Sequence, residues 1–185
     1  QNQIDNAYAG TNLEGQVISN EGIQEWEVPV SGLYFIETYG AYGGQSTAHG
    51  GQRGQGAMMS GEFEFQQGDV LKILVGQMGS NNYYDTGGGG GTFVILENNT
   101  PLIIAGGGGG ASSGFSNGHA STGEDGLSGS SSGGSNGLGG YGSTFGGGGG
   151  LLGNGEGSWY GTAFVNGGYG GNGDSDGGFG GGGGG

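Results

Sequence analysis

Cysteine is absent and proline occurs twice, so disulfides, zinc–thiolate sites and thiol catalysis are excluded, and thiols give no clue to the redox compartment. Basic residues are almost absent as well: Arg53 and Lys72 stand against sixteen acids, a formal charge of −14. Nothing in that balance can neutralise a run of phosphates, which argues against nucleic acid and anionic membrane as partners. Apolar residues are scarce, at 30% of 185. No run of them approaches the roughly 20 residues needed to cross a bilayer. Residues Gln1 to Asn6 lack an initiator methionine and a signal-peptide pattern. The expectation is a processed or excised fragment that is not itself inserted in a membrane.

Signatures of catalysis are equally thin. His49 and His119, the two histidines, sit in glycine-rich turns with no nucleophile or acidic partner at a recognisable spacing. The carboxylate pairs Glu25/Glu27 and Glu62/Glu64 fall on one face of a strand and read as solvent-facing rather than as a glycosidase pair. Glycine loops are plentiful, yet none is followed by the Lys-Ser/Thr of a phosphate loop. A non-enzymatic protein without a cofactor is expected.

What the chain does have is glycine: fifteen in residues 1–80 and 43 in residues 81–185. The first part carries strand patterns. Trp26 and Val28 share a face of residues 24–28, and a turn signal at 29–32 precedes Leu33-Tyr34-Phe35-Ile36, which together read as a β-hairpin or meander. Residues 62–65 alternate acid and phenylalanine, and 70–75 form a mostly apolar run after a turn at 66–69. No window has a helical moment with caps, so the fold class predicted is all-β.

In the second part, five glycines at 87–91 lead into Thr92-Phe93-Val94-Ile95-Leu96. A turn at 97–101 follows, then Leu102-Ile103-Ile104-Ala105, then five glycines at 106–110. A hairpin over 92–105 would bring the two glycine runs side by side. Further runs follow at 139–142, 146–150, 167–171 and 177–185, punctuated by Tyr141, Phe145, Tyr169 and Phe179. Glycine at this density usually signals disorder. The placed hairpin and the recurring run length point instead to extended polyglycine helices of polyproline-II type, bundled by backbone hydrogen bonds between neighbours. One domain over 1–185 is expected, with strands in 1–80 and glycine rods in 81–185.

Recognition residues are sought in loops with aromatics, since tyrosine and tryptophan supply contact area with few rotamers to freeze. Two loops qualify: Asn81-Asn82-Tyr83-Tyr84-Asp85 and Gly157-Ser158-Trp159-Tyr160. Either pair suits sugar stacking; the competing reading, which a glycine-rich context favours, is that the rings cap the ends of the glycine rods and shield their backbone groups. Asp174 and Asp176 alternate as in a calcium loop, but serine stands at 175 where a repeat-in-toxin spacing needs aspartate, and a polar turn is the competing reading.

Ordered blocks along the chain carry a resemblance. They are Asp5-Asn6-Ala7-Tyr8; Gly22-Ile23-Gln24-Glu25-Trp26-Glu27-Val28-Pro29; Tyr39-Gly40-Ala41-Tyr42-Gly43-Gly44; residues 70–79; residues 87–94; and residues 101–110. In this order they resemble the glycine-rich domain of the anaplastic lymphoma kinase and leukocyte tyrosine kinase receptors. The resemblance implies jelly-roll-like strands with an inserted bundle of polyglycine-II helices, an extracellular location and ligand binding. It is similar, too, to bacterial surface proteins and phage tail-fibre adhesins. Cysteines and basic residues of the animal receptors are missing, which favours a microbial or viral relative; kinase motifs are absent, so kinase activity does not transfer. A closing segment of the family pattern is expected beyond residue 185.

Two functions stand side by side at this point. One is a surface adhesion module binding a glycan or protein ligand. The other is a structural protein whose copies associate into filaments or matrix.

Overall fold

Strands form where the period-two and apolar segments lie, and they sort into two antiparallel sheets. The computed structural model describes residues 1–48, 52–112, 118–127, 132–142 and 145–185. Strands β1 (Val17–Asn20), β2 (Ile23–Glu27), β5 (Val70–Leu74), β6 (Thr92–Leu96) and β7 (Pro101–Ala105) form a five-stranded sheet in the order β1-β2-β5-β6-β7. Strands β3 (Gly32–Tyr39) and β4 (Met58–Phe65) form a second sheet of two. Every neighbouring pair is antiparallel, and the architecture is all-β.

The two sheets face each other over Val28, Phe65, Leu71, Val94 and Ile103, with Trp26, Tyr34 and Phe63 around them. On the opposite face of the larger sheet, Leu74, Phe93 and Ile95 meet Leu151 and Phe164 from the glycine-rich part. Alternation along β6 explains this: Val94 points one way, Phe93 and Ile95 the other, and both faces are covered. That is why residues 92–96 read as a continuous apolar run. Pro101 opens β7, an edge strand, where its missing N–H leaves no gap in a ladder.

Two expectations need correction. Residues 24–28 and 33–36 do not form a hairpin: β2 pairs with β1 and β5, whereas β3 pairs with β4 in the other sheet. The cause is Val28, whose N–H donates to Asp69 O (2.8 Å) and whose carbonyl accepts the Gly68 N–H (2.9 Å), fixing it to the 66–69 turn. Pro29 then carries the chain across the sandwich, and Trp26 and Tyr34 meet edge-on between sheets at 5.9 Å. A helix is also present, α1 (Asn2–Tyr8), with no buried residue. Gln1 holds it, accepting from the Ile4 and Asp5 N–H groups at 2.8 and 3.1 Å and donating to Asp5 Oδ1.

The hairpin of β6 and β7 forms as expected, and the glycine runs flanking it lie side by side. Successive amides of residues 88–91 then reach different neighbours. Gly88 donates to Gly183 O (2.8 Å), Gly89 to Gly108 O (2.8 Å) and Gly90 to Gln77 O (2.9 Å); Gly91 returns to the first segment at Gly180 O (2.9 Å). The same three-residue step relates Gly146 and Gly149 to Gly184 and Gly181 (2.9 and 2.8 Å). Segments approach so closely that a Cβ on Gly90 would lie 1.8 Å from Phe179 O, and one on Gly178 1.7 Å from Gln77 O. Several of these segments prolong strands: residues 40–44 follow β3, 76–79 follow β5, 87–91 precede β6 and 106–110 follow β7.

Candidate functional site

Turns between glycine segments project the aromatic loops. Residues 81–85 connect the segment after β5 with the one before β6 and are held on one side by residues 45–48. Asn81 Oδ1 accepts the Gln45 N–H (2.7 Å), and Tyr83 O accepts both Ser46 Oγ and the Ala48 N–H (2.8 Å each). Thr86 ends the loop: it is buried, and its hydroxyl accepts the Ala111 N–H at 2.7 Å.

Ser175 holds the other side. It is 3% exposed; its Oγ donates to Asp85 O (2.7 Å) and accepts from Asn82 Nδ2 (2.8 Å). Ser80 N–H donates to Asp176 O at 2.8 Å, completing the seam. With both sides of the backbone fixed, Tyr83 and Tyr84 are left 59% and 58% exposed, their rings edge-on at 4.6 Å.

Trp159 of the second aromatic pair meets the same segment. Trp159 O accepts the Gly184 N–H (2.8 Å), and the indole lies over Gly173, where an added Cβ would come 3.1 Å from it. Trp159 and Tyr160 remain 41% and 44% exposed. Residues 173–175 therefore support Trp159 and the tyrosine loop, Gly173 beneath the indole and Ser175 beneath the loop. Sequence reading selected all four rings and Asp85, which is half-buried. It did not reveal that Trp159 and the 81–85 loop share a base, because that depends on contacts such as the one between Ser175 and Asp85, ninety positions apart. Ser175 itself was noticed only as a departure from a calcium loop.

Asp174 and Asp176 are exposed on either side of buried Ser175, so their side chains point away from the seam. Among the described residues no three His, Cys, Asp or Glu side chains are placed to hold a metal ion. His119 Nδ1 accepts the Gln55 N–H at 3.1 Å and so serves to dock its loop, while His49 lies outside the described residues.

Two features carried no signal in the sequence. Arg53 stacks over Tyr42 at 4.6 Å, and its guanidinium reaches Met78 Sδ at 3.2 Å. A shallow groove of about 270 Å³ lies between Glu21, Glu25, Lys72 and Val165. Lys72 and Glu25 are cross-strand neighbours there, yet the ammonium donates to Glu97 O (2.7 Å) and Asn99 Oδ1 (3.3 Å).

Among the described residues no helix is long and apolar enough to cross a membrane. No family model matches the chain. Over 84 residues, 44% of the chain, it is 37% identical to the leukocyte tyrosine kinase receptor of Mus musculus. The chain spans a tenth of that protein's length, so what the comparison shows is a part similar to a part of a receptor.

Proposed function

We propose that the chain is an extracellular, surface-exposed binding module in which polyglycine-II rods hold aromatic loops away from a jelly-roll-like strand platform. It acts without catalysis or a cofactor, as one domain. The observation that carries the reading is the convergence of Trp159 and the Tyr83–Tyr84 loop on the segment at 173–175, with the rings exposed and the backbone of that loop bonded on both sides. Contact residues held this way lose little conformational freedom on binding.

Three-residue steps in the hydrogen bonding of residues 88–91 and 146–149 support the polyglycine-II description, since such a helix has three residues per turn. Five residues at about 3.1 Å each place the loops roughly 15 Å beyond the strand ends. Partial identity to a receptor supports an extracellular, ligand-binding role. The ligand class that fits is a surface glycan or the polar surface of a protein: aromatic faces stack on sugar rings or apolar side chains, and Asp85, Asp174 and Asp176 offer acceptors to hydroxyls.

Binding of the purified monomer to cells and to an array of surface glycans tests this, with Tyr84→Ala and Trp159→Ala as variants. Saturable binding that falls at least about ten-fold in either variant, the scale of one lost contact of about 1.4 kcal/mol, is the expected result. Binding unchanged in both would move recognition elsewhere on the molecule. No saturable binding to either target would reject the module reading.

A further inference from the structure

The two cations of the chain are placed differently. Lys72 is engaged within the fold: beside its cross-strand neighbour Glu25, its ammonium donates to Glu97 O and Asn99 Oδ1. Arg53 is not. Its guanidinium lies 4.6 Å from the centre of the Tyr42 ring and gives one N–H to Met78 Sδ, a weak acceptor. Among the described residues no carboxylate pairs with it and no oxygen accepts from it.

In a chain with sixteen acids, that arginine stands where the acids are missing. Residues 38–61, 70–84 and 98–123 contain no aspartate or glutamate. The backbone gathers these three stretches around Arg53. Gly43 donates to Gly54 O (3.0 Å), Gly54 to Gly109 O (2.9 Å), Ala120 to Gln55 O (2.8 Å) and Gly79 to Tyr42 O (3.2 Å). The ionisable side chain docked on the Arg53 segment is His119, whose Nδ1 accepts the Gln55 N–H. Acids return toward the loop end, where Asp176 O accepts from Ser80.

We propose that Arg53 is a carboxylate-binding subsite that takes one acidic sugar residue, a uronic or sialic acid, within a sparsely charged glycan. The subsite belongs to the glycan-binding role proposed above and rests on it. Stacking on Tyr42 holds the guanidinium flat and leaves its edge N–H groups outward, the arrangement that meets a carboxylate with two parallel hydrogen bonds. The surroundings favour a sugar over an acidic peptide. Gln45 and Asn81, three residues beyond Tyr42 and Met78, are exposed amides suited to hydroxyls. At a rise of about 3.1 Å per residue they stand about 9 Å further along, and Tyr83 follows, its carbonyl bonded to Ser46. A glycan lying along these segments meets the guanidinium, then amides, then tyrosine rings.

Net charge sets the spacing of anions on that ligand. A single carboxylate reaches the guanidinium, while charges beyond about 8–10 Å are screened by salt. Nucleic acid, a densely sulfated polysaccharide or polyglutamate would set its remaining anions against a molecule of −14 and be repelled.

Isothermal titration of the chain with matched probes is the test. The pairs are sialyllactose with lactose, and a hexasaccharide of alternating glucuronic acid and N-acetylglucosamine with its carboxyl-reduced form; hexaglutamate is the peptide control. The acidic member of at least one pair is expected to bind at least about ten-fold tighter than its neutral partner, with the preference weakening in salt. Arg53→Gln brings the acidic sugar down to the affinity of its neutral partner. Arg53→Lys keeps part of the preference, since lysine restores the charge but not the fork. In the unaltered chain the Arg53 Nε–H signal shifts in NMR spectra with the acidic probe and not with the neutral one, a result that depends on no variant folding. Equal affinity within both pairs, no binding of any probe, a preference that survives Arg53→Gln, or tighter binding of hexaglutamate than of either acidic sugar overturns the proposal. Acid-dependent binding that persists in Tyr84→Ala and Trp159→Ala removes the aromatic loops from the ligand reading and leaves Arg53 in place, whereas loop-dependent binding indifferent to the carboxylate does the reverse.

Discussion

Trp159 has φ +57°, a left-handed conformation that a bulky residue rarely adopts. Its carbonyl is turned into the glycine segments to accept the Gly184 N–H, which fixes the backbone and leaves the indole over Gly173. For an L-residue the left-handed region costs about 1–2 kcal/mol, and glycine is exempt. Trp159→Gly is therefore expected to be about 1 kcal/mol more stable than Trp159→Ala by chemical denaturation, although both lack the ring. Equal stability would mean the backbone relaxes out of that conformation once the indole is gone. Binding should fall alike in the two, which separates the ring's role from the backbone's.

Two tyrosines report their partners through pH. Tyr39 donates to the Glu37 carboxylate and Tyr169 to that of Glu21 at 3.0 Å; these hydrogen bonds first, and the negative charge and partial desolvation after them, raise both phenols above their ordinary value. A folded value above the unfolded one stabilises the fold below the unfolded pKa of about 10, and the contribution disappears as pH rises through the folded value. In an NMR titration of the tyrosine rings, Tyr39 and Tyr169 should ionise late. Glu37→Gln should bring Tyr39 back toward the ordinary range without moving Tyr169; if Tyr39 stays high, Glu37 is not the cause.

At the scale of elements, strands and glycine segments obey opposite packing rules. A strand is stabilised by side chains meeting across a face, whereas the glycine segments approach until carbonyls occupy the space a Cβ would need. Gly90 is the clearest case, with Phe179 O 1.8 Å from that position; Gly106, at the end of β7, meets nothing nearer than Ala120 Cβ at 3.7 Å. Gly90→Ala should cost more than about 3 kcal/mol, because three segments must separate. Gly106→Ala should be neutral or stabilising by about 0.4–1 kcal/mol through the unfolded chain. Thermal melts of the two variants decide, and similar losses in both would contradict the close approach.

The strands at 62–65, 70–74, 92–96 and 101–105 were legible because each carries its burial in its own alternation or apolar run. Helix α1 was not, since two turns with no buried residue leave no periodicity to read. Nor could the turn after Val28 disclose that β3 leaves for another sheet, because that choice is made by Asp69 and Gly68, forty residues on. The aromatic loops were legible by composition; their common support on Gly173 and Ser175 was not, because glycine and serine there look like ordinary turn residues.

For the whole molecule, the distinguishing quantity is what becomes wet on unfolding. Two side-chain clusters flank the larger sheet, but much of residues 81–185 buries amides and carbonyls against one another. Exposing apolar surface raises the heat capacity of the unfolded state, and exposing peptide groups lowers it. An ordinary globular chain of 185 residues would show a heat-capacity change of about 2.4 kcal/mol/K, taking about 13 cal/mol/K per residue. Here the change measured by calorimetry should fall clearly below that, while the transition stays cooperative, because each glycine segment is bonded to several neighbours and cannot leave alone. A cooperative transition with the full heat-capacity change would mean that residues 81–185 bury side-chain surface in the ordinary way. A shallow, non-cooperative transition would mean that the segments are not bonded as a unit, and the aromatic loops would then lack the rigid support from which their binding role is argued.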